Sequence, residues 1–261
     1  MKSIAIKLVK LSRYFGARFI IKRINRALRA LVSLTHHIQH IIEWGARPHP
    51  EWYDHWLDQY WSWYVTGEAF PVERGVFSLL AMKQGCKVLE LCCGDGFNSH
   101  HFYAARACSV FAMDFDPEAI RSARANFRNP KVTYMVGDIR TDIPNFKVDN
   151  VIWDAAIEHF TEEEILAVME KIKTILNNEG ILSGYTIVER DDGRLSHHDH
   201  EYEFHSKEDL ARVLTRFFRN VRIFETKYAS RHNLYFYASD TAVLPFDLSW
   251  ESQLVCNQSA I

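Results

Sequence analysis

The first 42 residues of the chain lack acidic side chains altogether, although they include nine Lys and Arg. No apolar run approaches the roughly 20 residues that a membrane-spanning helix needs, and none has the uninterrupted core of a secretory signal. Internal repeats and low-complexity linkers are lacking too, which argues against a repeat fold or flexibly joined domains. What remains is a globular chain with a basic N-terminal segment.

The cysteines are few and do not follow a metal-binding or disulfide pattern. Five occur in 261 residues, an odd number, and none forms a CxxC pair. Reduced thiols in a reducing compartment explain this better than a disulfide framework or a zinc site. We therefore expect a cytoplasmic protein, or one at the cytoplasmic periphery of a membrane.

The remainder of the chain is acidic. Glu43 to Ile261 carry 22 basic and 33 acidic residues, a net charge of −11, which the overall value of −2 conceals. Phosphate backbones bind basic surfaces, so nucleic acid is not expected as a partner. With 48% hydrophobic residues, the chain can bury a sizeable core in one large domain with an appendage.

Residues 1–45 form a basic arm. Apolar residues recur there at spacings of three or four, with Lys and Arg between them, which predicts one or two amphipathic helices. Residues 2–42 could lie on an anionic membrane surface, where each basic residue contributes about 1 kcal/mol. Packing on the acidic body or on a second subunit of a homodimer is equally compatible with the pattern, and a mitochondrial presequence is a third interpretation.

Aromatic residues crowd residues 46–84, which we interpret as a helical cap or lid. Five of the seven tryptophans lie between Trp44 and Trp63. Such a segment could wall a ligand pocket, anchor the arm or simply pack a core. An apolar stretch opened by Glu73 and Arg74 is predicted to form a helix that leads into the first strand.

Residues 85–240 alternate between strand-like and helical patterns, and residues 241–261 form a tail. The strand candidates are Lys87–Cys92, Ser109–Asp114, Val132–Val136, Asp149–Trp153, Ile181–Val188, Val221–Glu225 and Asn233–Ala238. Helices are predicted after Asn98, Asp116, Thr161 and Ser206. This order predicts an α/β fold with a doubly wound, mostly parallel seven-stranded sheet and an N-terminal helical extension. The last two strands should pair antiparallel, because too few residues separate them for a crossover.

Acidic residues occur at the ends of the first four strands. Glu90 precedes the turn Gly94–Gly96, Asp114 ends the second strand, Asp138 follows the third and Asp154 ends the fourth. Ligands bind outside the carboxyl ends of such strands, and glycine allows close approach to the backbone. Any one acid has the simpler interpretation of a helix cap. Four at the same sheet edge predict a cleft for a cationic ligand.

With these motifs, residues 85–240 resemble a class I S-adenosylmethionine-dependent methyltransferase. The resemblance implies a Rossmann-like methyltransferase fold with S-adenosyl-L-methionine as the cofactor. The residues it assigns to the cofactor are Glu90, Cys92, Gly94, Gly96, Asp114, Asp138, Ile139 and Asp154. Of these, Glu90 and the two glycines would contact the methionine part, Asp114 the ribose, and Asp138 with Ile139 the adenine. Cys92 is a departure, because the family usually has a third glycine there.

Methyl transfer to a hydroxyl group needs a residue that removes the hydroxyl proton. His159 is the first candidate, because imidazole titrates near neutral pH and the residue follows the fourth strand. Asp154 and Glu158 are alternatives, as the base or as groups that orient the histidine, and ordinary packing of His159 at a helix start stays open. Residues 191–205 contain four histidines and several acids. We interpret them as a polar loop facing the substrate and assign no metal site, since neighbours in sequence rarely converge on one ion.

The predicted function is methylation of an oxygen atom on a small or lipid-linked polar acceptor such as a sugar. The sugar hypothesis follows a similarity to bacterial methyltransferases of surface-polysaccharide pathways and the aromatic segment Trp52–Tyr64, because aromatic faces stack on sugar rings. A non-catalytic binding or assembly protein with the same fold is an alternative. A nicotinamide-dependent oxidoreductase is disfavoured, because bulky Phe97 and two acids, Glu90 and Asp95, crowd the glycine turn.

Overall fold

The structure is a computed structural model that describes residues 17–45, 63, 67–190, 192–197, 199–229 and 231–250. The chain divides into two compact units, Met1–Gly67 and Glu68–Ile261, and each is described by itself. The aromatic segment from Trp52 to Tyr64, apart from Trp63, and the chain beyond residue 250 lie outside the described residues. The domain boundaries expected at residues 45, 84 and 240 stay predictions.

A single helix, α1 (Ala17–Gly45), carries the described part of the basic arm. Large apolar side chains repeat along it and are exposed: Phe19, Ile20, Ile21, Ile24, Leu28, Leu31, Leu34 and Ile38. Lys22, Arg26 and Arg29 lie between them in the sequence, as the amphipathic prediction requires. None of the helices among the described residues combines the length and apolar character that crossing a membrane requires.

The second unit contains the alternating elements. In chain order they are α2 (Phe70–Leu80), β1 (Lys87–Leu91), a π-helical turn (Ser99–Tyr103), α3 (Ala104–Arg106), β2 (Ser109–Asp114), α4 (Pro117–Asn126), β3 (Val132–Val136), β4 (Val148–Asp154), a 3-10 turn (Ile157–His159), α5 (Glu162–Ile175), β5 (Leu176–Ile187), α6 (Lys207–Leu214), β6 (Asn220–Lys227) and β7 (His232–Ser239).

The seven strands form one sheet in the order β3-β2-β1-β4-β5-β7-β6. Strands β1 to β5 pair in parallel, whereas β7 runs antiparallel to both β5 and β6. The doubly wound, mostly parallel sheet and the antiparallel final pair are therefore confirmed. The order reverses at β1 and β4, and this is where such sheets bind ligands.

Both faces of the sheet are covered. Leu89 and Leu91 of β1 belong to a core cluster that includes the apolar faces of α5 and α6. Val88 points to the opposite face and packs with residues of α4 and the π-helical turn. Four of the five β1 residues are buried, as expected for a central parallel strand covered on two sides.

The predicted helix starts are mostly confirmed in detail. At α5, Glu164 N donates to Thr161 Oγ1 at 3.3 Å and Thr161 N donates to Glu164 Oε2 at 3.0 Å, which completes a capping box. At α6 only half of the box forms. Asp209 N donates to Ser206 Oγ at 3.3 Å, but the Asp209 carboxylate accepts from His205 N instead of closing the box.

Two local expectations were wrong. The first strand was expected to reach Cys92, but β1 ends at Leu91 because Cys92 turns to a φ of 57°. The helix expected after Asn98 begins as the π-helical turn Ser99–Tyr103 and continues only as the three-residue α3. Such turns occur often at functional sites, and this one carries a serine of the candidate site.

Candidate functional site

The candidate site lies at the carboxyl ends of the neighbouring strands β1, β2 and β4. Glu90 is in register with Ala112 of β2 and Ile152 of β4. Asp114 and Asp154 are the last residues of β2 and β4. Glu90, Asp114 and Asp154 are only 3%, 6% and 7% exposed. The sheet thus brings together three carboxyl groups whose burial is costly unless they are hydrogen-bonded or paired with a cation.

The pKa of Glu90 departs strongly from the ordinary value of a glutamate. Burial raises its pKa to about 8; the hydrogen bond from Ser99 Oγ opposes the rise and the nearby Asp154 carboxyl adds to it. A cation placed beside Glu90 would favour the ionised form and lower this pKa. Ser99 also occupies the place of the third glycine in a GxGxxG pattern, so the turn departs from the sequence pattern of dinucleotide-binding proteins.

Three residues of the turn after β1 have left-handed backbones. Their φ angles are 57° at Cys92, 53° at Gly94 and 78° at Gly96. Glycine adopts this region freely, whereas a side chain there costs about 1–2 kcal/mol. The strain explains why glycine would be favoured where this chain has Cys92. A Cβ on Gly96 would lie 2.5 Å from the ring of Tyr134, so this glycine is also required by close packing.

Asp114 joins the turn after β1 to the end of β2 through hydrogen bonds. Its Oδ2 accepts from Gly94 N at 2.9 Å, and its Oδ1 accepts from Asp116 N at 2.9 Å. A carboxylate oxygen can accept more than one hydrogen bond, so a ribose hydroxyl is a chemically suitable further donor to Asp114. The next residue, Phe115, is 52% exposed. This aromatic side chain is not among the residues assigned from the sequence, although its position directly after a strand-end acid was a usable signal for a flat apolar contact.

Asp138 and Ile139 follow β3 but differ in exposure. Arg140 donates to both carboxylate oxygens of Asp138, at 3.0 and 2.7 Å, and this contact lowers the Asp138 pKa. Ile139 is 2% exposed and belongs to the main core cluster. An adenine amino group at Asp138 would therefore share the carboxylate with Arg140. The adenine assignments of both residues stay predictions.

Asp154 connects β4 to the turn and to α2. Asn98 Nδ2 donates to its Oδ2 at 3.3 Å, and Arg74 Nε lies 4.0 Å from the same oxygen. Asn98 Oδ1 is buried and accepts no hydrogen bond from the part of the chain that the structure describes, so it could accept one from a ligand. Ala155 follows with a φ of 55°, a second strained position at this edge of the sheet.

Glu158 and His159 lie on the 3-10 turn after β4. Thr186 Oγ1 of β5 donates to Glu158 Oε2 at 3.0 Å, and His159 Nδ1 lies 3.0 Å from the carbonyl oxygen of Asp199. The imidazole ring of His200 packs edge-on against that of His159, with ring centroids 4.6 Å apart. Part of the histidine-rich loop thus meets two of the three residues predicted to be catalytic, an approach that the sequence did not predict.

Comparison with known proteins shows which family part of the chain resembles. Residues 88–180 match the protein family described as "Methyltransferase domain". Over this segment the chain resembles methyltransferases. The chain is also 29% identical over 106 residues to an uncharacterized methyltransferase of Synechocystis sp., a match that covers 40% of this chain and 48% of that protein. The chain therefore matches about half the length of this curated relative.

Solved structures agree with the fold of the methyltransferase domain. A complex of DhpI with SAH is 18% identical, with a TM-score of 0.53, over 80% of this chain and 95% of that one. TehB from Haemophilus influenzae is 17% identical, with a TM-score of 0.53, over 70% and 66%. Magnesium protoporphyrin IX methyltransferase from Synechocystis with bound SAH is 18% identical, with a TM-score of 0.50, over 60% and 75%. The class I resemblance is confirmed.

The cofactor of a class I methyltransferase domain is S-adenosyl-L-methionine, and the chemistry of this edge fits it. The cofactor carries a sulfonium and an ammonium group, and the buried carboxyl groups of Glu90 and Asp154 suit positive charge. Glu90, Gly94, Gly96, Asp114 and Asp154 lie at one edge. Their individual contacts with the cofactor stay predictions, as do those of Cys92.

The strain at Cys92 makes the first testable prediction. Cys92→Gly should change the free energy of unfolding by less than about 1 kcal/mol, because relief of left-handed strain of about 1–2 kcal/mol offsets the lost side-chain burial and the greater chain entropy. Cys92→Val should destabilise by about 2 kcal/mol, because a β-branched residue fits this region poorly. Urea unfolding at constant m-value measures both. Cys108→Gly, at an exposed cysteine, is the control and should be mildly destabilising. A Cys92→Val variant as stable as the wild type would contradict the strain argument.

The raised pKa of Glu90 predicts how stability depends on pH. The folded chain keeps the Glu90 proton up to about pH 8, whereas the unfolded chain releases it near 4.5. Rising pH therefore favours unfolding across this window, by an amount on the order of 5 kcal/mol at about 1.4 kcal/mol per pKa unit. Glu90→Gln should remove this part of the decline in unfolding free energy measured by denaturant titration at several pH values. Glu179→Gln, at an exposed glutamate bound to Lys83, should leave the decline unchanged. Equal declines in wild type and Glu90→Gln would exclude the raised pKa.

Proposed function

We propose that this chain transfers a methyl group from S-adenosyl-L-methionine to a hydroxyl oxygen of a small or lipid-linked polar acceptor, such as a sugar. The observation that carries the proposal is the set of buried carboxyl groups, Glu90, Asp114 and Asp154, around the glycine turn of a methyltransferase domain. When bound, the cofactor supplies a methyl group on a positively charged sulfur. Protein residues must align the acceptor with that methyl group and exclude water.

Transfer also requires the acceptor to lose a proton. The acceptor oxygen forms a bond to the methyl carbon, the carbon–sulfur bond breaks with its electron pair left on sulfur, and the hydroxyl proton departs. Asp199 can only accept at its carbonyl oxygen, so the 3.0 Å contact assigns the proton of His159 to Nδ1. His159 Nε2 then has a lone pair, with which it can accept the hydroxyl proton or bind a metal ion that lowers the pKa of the hydroxyl.

The polar acceptor is supported by the residues around His159. Glu158, His159 and Thr186 form a polar group at the ends of β4 and β5, next to the loop of residues 192–205. Such groups can hydrogen-bond the hydroxyls of a polar acceptor, which an apolar acceptor lacks. Comparing metabolites and glycans of cells with and without the protein, for a difference of one CH2 in mass, identifies the acceptor.

Ligand binding tests the proposal against its alternatives. S-adenosylhomocysteine at about 100 times its Kd should stabilise the chain by about 2.7 kcal/mol, a rise in Tm of about 5–10 °C for a domain of this size. NAD should give no rise.

Glu90→Gln should weaken binding of S-adenosylhomocysteine by about 10- to 100-fold in calorimetry, because a hydrogen bond to a charged group is lost. Glu179→Gln is the matched control and should bind normally. Stabilisation by NAD alone would support an oxidoreductase, and cofactor binding with no methylated product in cells would support a binding protein.

We also propose that α1 holds this cytoplasmic protein at the surface of an anionic membrane. Its exposed apolar side chains, such as Ile24, Leu28 and Leu31, lie close in sequence to Lys22, Arg26 and Arg29. An apolar face flanked by positive charges is typical of helices that lie in the plane of a membrane surface. A polar acceptor linked to a lipid would be presented at the same surface.

Charge reversal in the full chain tests this membrane proposal. Arg26→Glu combined with Arg29→Glu should weaken binding to anionic vesicles at least about 30-fold, because each basic residue contributes about 1 kcal/mol. Arg194→Glu combined with Lys227→Glu, at exposed positions of the second unit, is the control and should bind as the wild type does. Co-sedimentation with vesicles of neutral and anionic lipid measures both. Equal binding by the two double variants, or a chain that is dimeric and ignores vesicles, would refute the proposal.

A further inference from the structure

Three side chains from two distant segments converge beside β5. Glu158, His159 and His200 each offer one ligand atom, and these atoms lie within 4.8 Å of one another. The first two follow β4 on the 3-10 turn, and the third belongs to the loop after β5. His200 lies 41 positions after His159 in the sequence, so their meeting is a property of the fold.

Backbone contacts fasten the two segments together. The carbonyl oxygen of Glu158 accepts from Glu201 N at 2.9 Å and from Tyr202 N at 3.1 Å. The Glu158 side chain is bound to Thr186 of β5 and is 4% exposed. Backbone hydrogen bonds and the bond to β5 therefore hold these side chains together, which a chance approach of surface side chains would lack.

Both histidines are oriented through their Nδ1 atoms. His159 Nδ1 contacts the carbonyl oxygen of Asp199. His200 Nδ1 contacts Glu203 Oε1, which also accepts from Ser196 N at 2.8 Å and Ser196 Oγ at 2.5 Å. The Glu203 side chain is fully buried. A histidine whose Nδ1 proton is donated to a carbonyl or a carboxylate presents Nε2 as a lone pair, which is how metal-binding histidines are held.

We propose that Glu158, His159 and His200 bind one divalent transition-metal ion. Two imidazoles and one carboxylate suit zinc or another first-row metal better than magnesium or calcium. Tetrahedral zinc with bonds of about 2.1 Å needs ligand atoms about 3.4 Å apart, so small side-chain rotations close the site. Three protein ligands leave positions open. If the proposed function is correct, an open position would take the acceptor oxygen, and His159 would be a metal ligand rather than a proton acceptor.

Zinc binding by the full chain tests this site directly. After dialysis against a chelator, the wild type should take up about one Zn²⁺ per chain from buffered zinc, measured by equilibrium dialysis and elemental mass spectrometry. His159→Asn and His200→Asn should each lower the affinity at least 100-fold. His205→Asn is the matched control in the same loop, because His205 is exposed and paired with Glu189, and it should bind zinc as the wild type does. Stoichiometric binding that survives both His159→Asn and His200→Asn would overturn the proposal, as would a wild type that binds none.

Two further measurements separate metal loss from misfolding and from failure of the proposed function. Glu203→Gln keeps all three ligands and should weaken zinc binding about 10- to 100-fold, as expected of a residue that orients a ligand. Cobalt bound to the wild type should give visible absorption bands that zinc abolishes, and a lack of bands would count against the site. Calorimetry with S-adenosylhomocysteine on the same samples should show retained binding in every variant. A chain that binds zinc but not S-adenosylhomocysteine would refute the methyltransferase proposal and leave the metal site intact.

Discussion

Burial of carboxyl groups at one edge of the sheet is the constraint on which the site depends. Glu90, Asp114 and Asp154 lie almost completely out of solvent, where an ionised carboxylate is stable only with hydrogen-bond donors or a cation. Asp114 satisfies this with two backbone amides. Glu90 has one serine hydroxyl and a pKa raised to about 8. Nearby Arg74 favours the ionised form but does not offset the burial, so a further positive charge, such as that of a cationic cofactor, would stabilise the Glu90 carboxylate.

Backbone strain is concentrated at the same edge. Cys92 and Ala155, both with side chains and both at positive φ, follow directly after the neighbouring strands β1 and β4. At Cys92 the chain leaves β1 and enters the glycine turn. At Ala155 it leaves β4 and continues to Glu158. Ala155 N donates to Tyr185 O at 2.9 Å, which fixes that turn against β5. Strain at two adjacent strand ends is typical of residues held in place for a ligand.

Local patterns in the sequence predicted much of the fold but only part of the site. Alternating apolar runs and the caps at Asp116 and Thr161 depend on neighbours within a few residues, so the strands and helix starts could be derived. The bond between Ser99 and Glu90 depends on a π-helical turn, which no periodicity indicates. The pair between Asp138 and Arg140 was accessible in principle, since the residues are two positions apart. The approach of His200 to His159 was not, because it requires two loops to meet across the ends of β4 and β5.

The two cation sites inferred at this edge are electrostatically compatible because carboxyl groups lie around both. Like charges repel strongly where the dielectric constant is low, so a sulfonium beside Glu90 and a metal ion beside Glu158 would oppose each other without intervening negative charge. Asp154 supplies it: the residue ends β4, four positions before Glu158, and contacts Asn98 of the glycine turn. The acidic character of Glu43–Ile261 adds a favourable background for both cations. Asp154 is thus the carboxyl group that would offset both positive charges, and the register of β4 against β1 and β5 fixes its place at the end of β4.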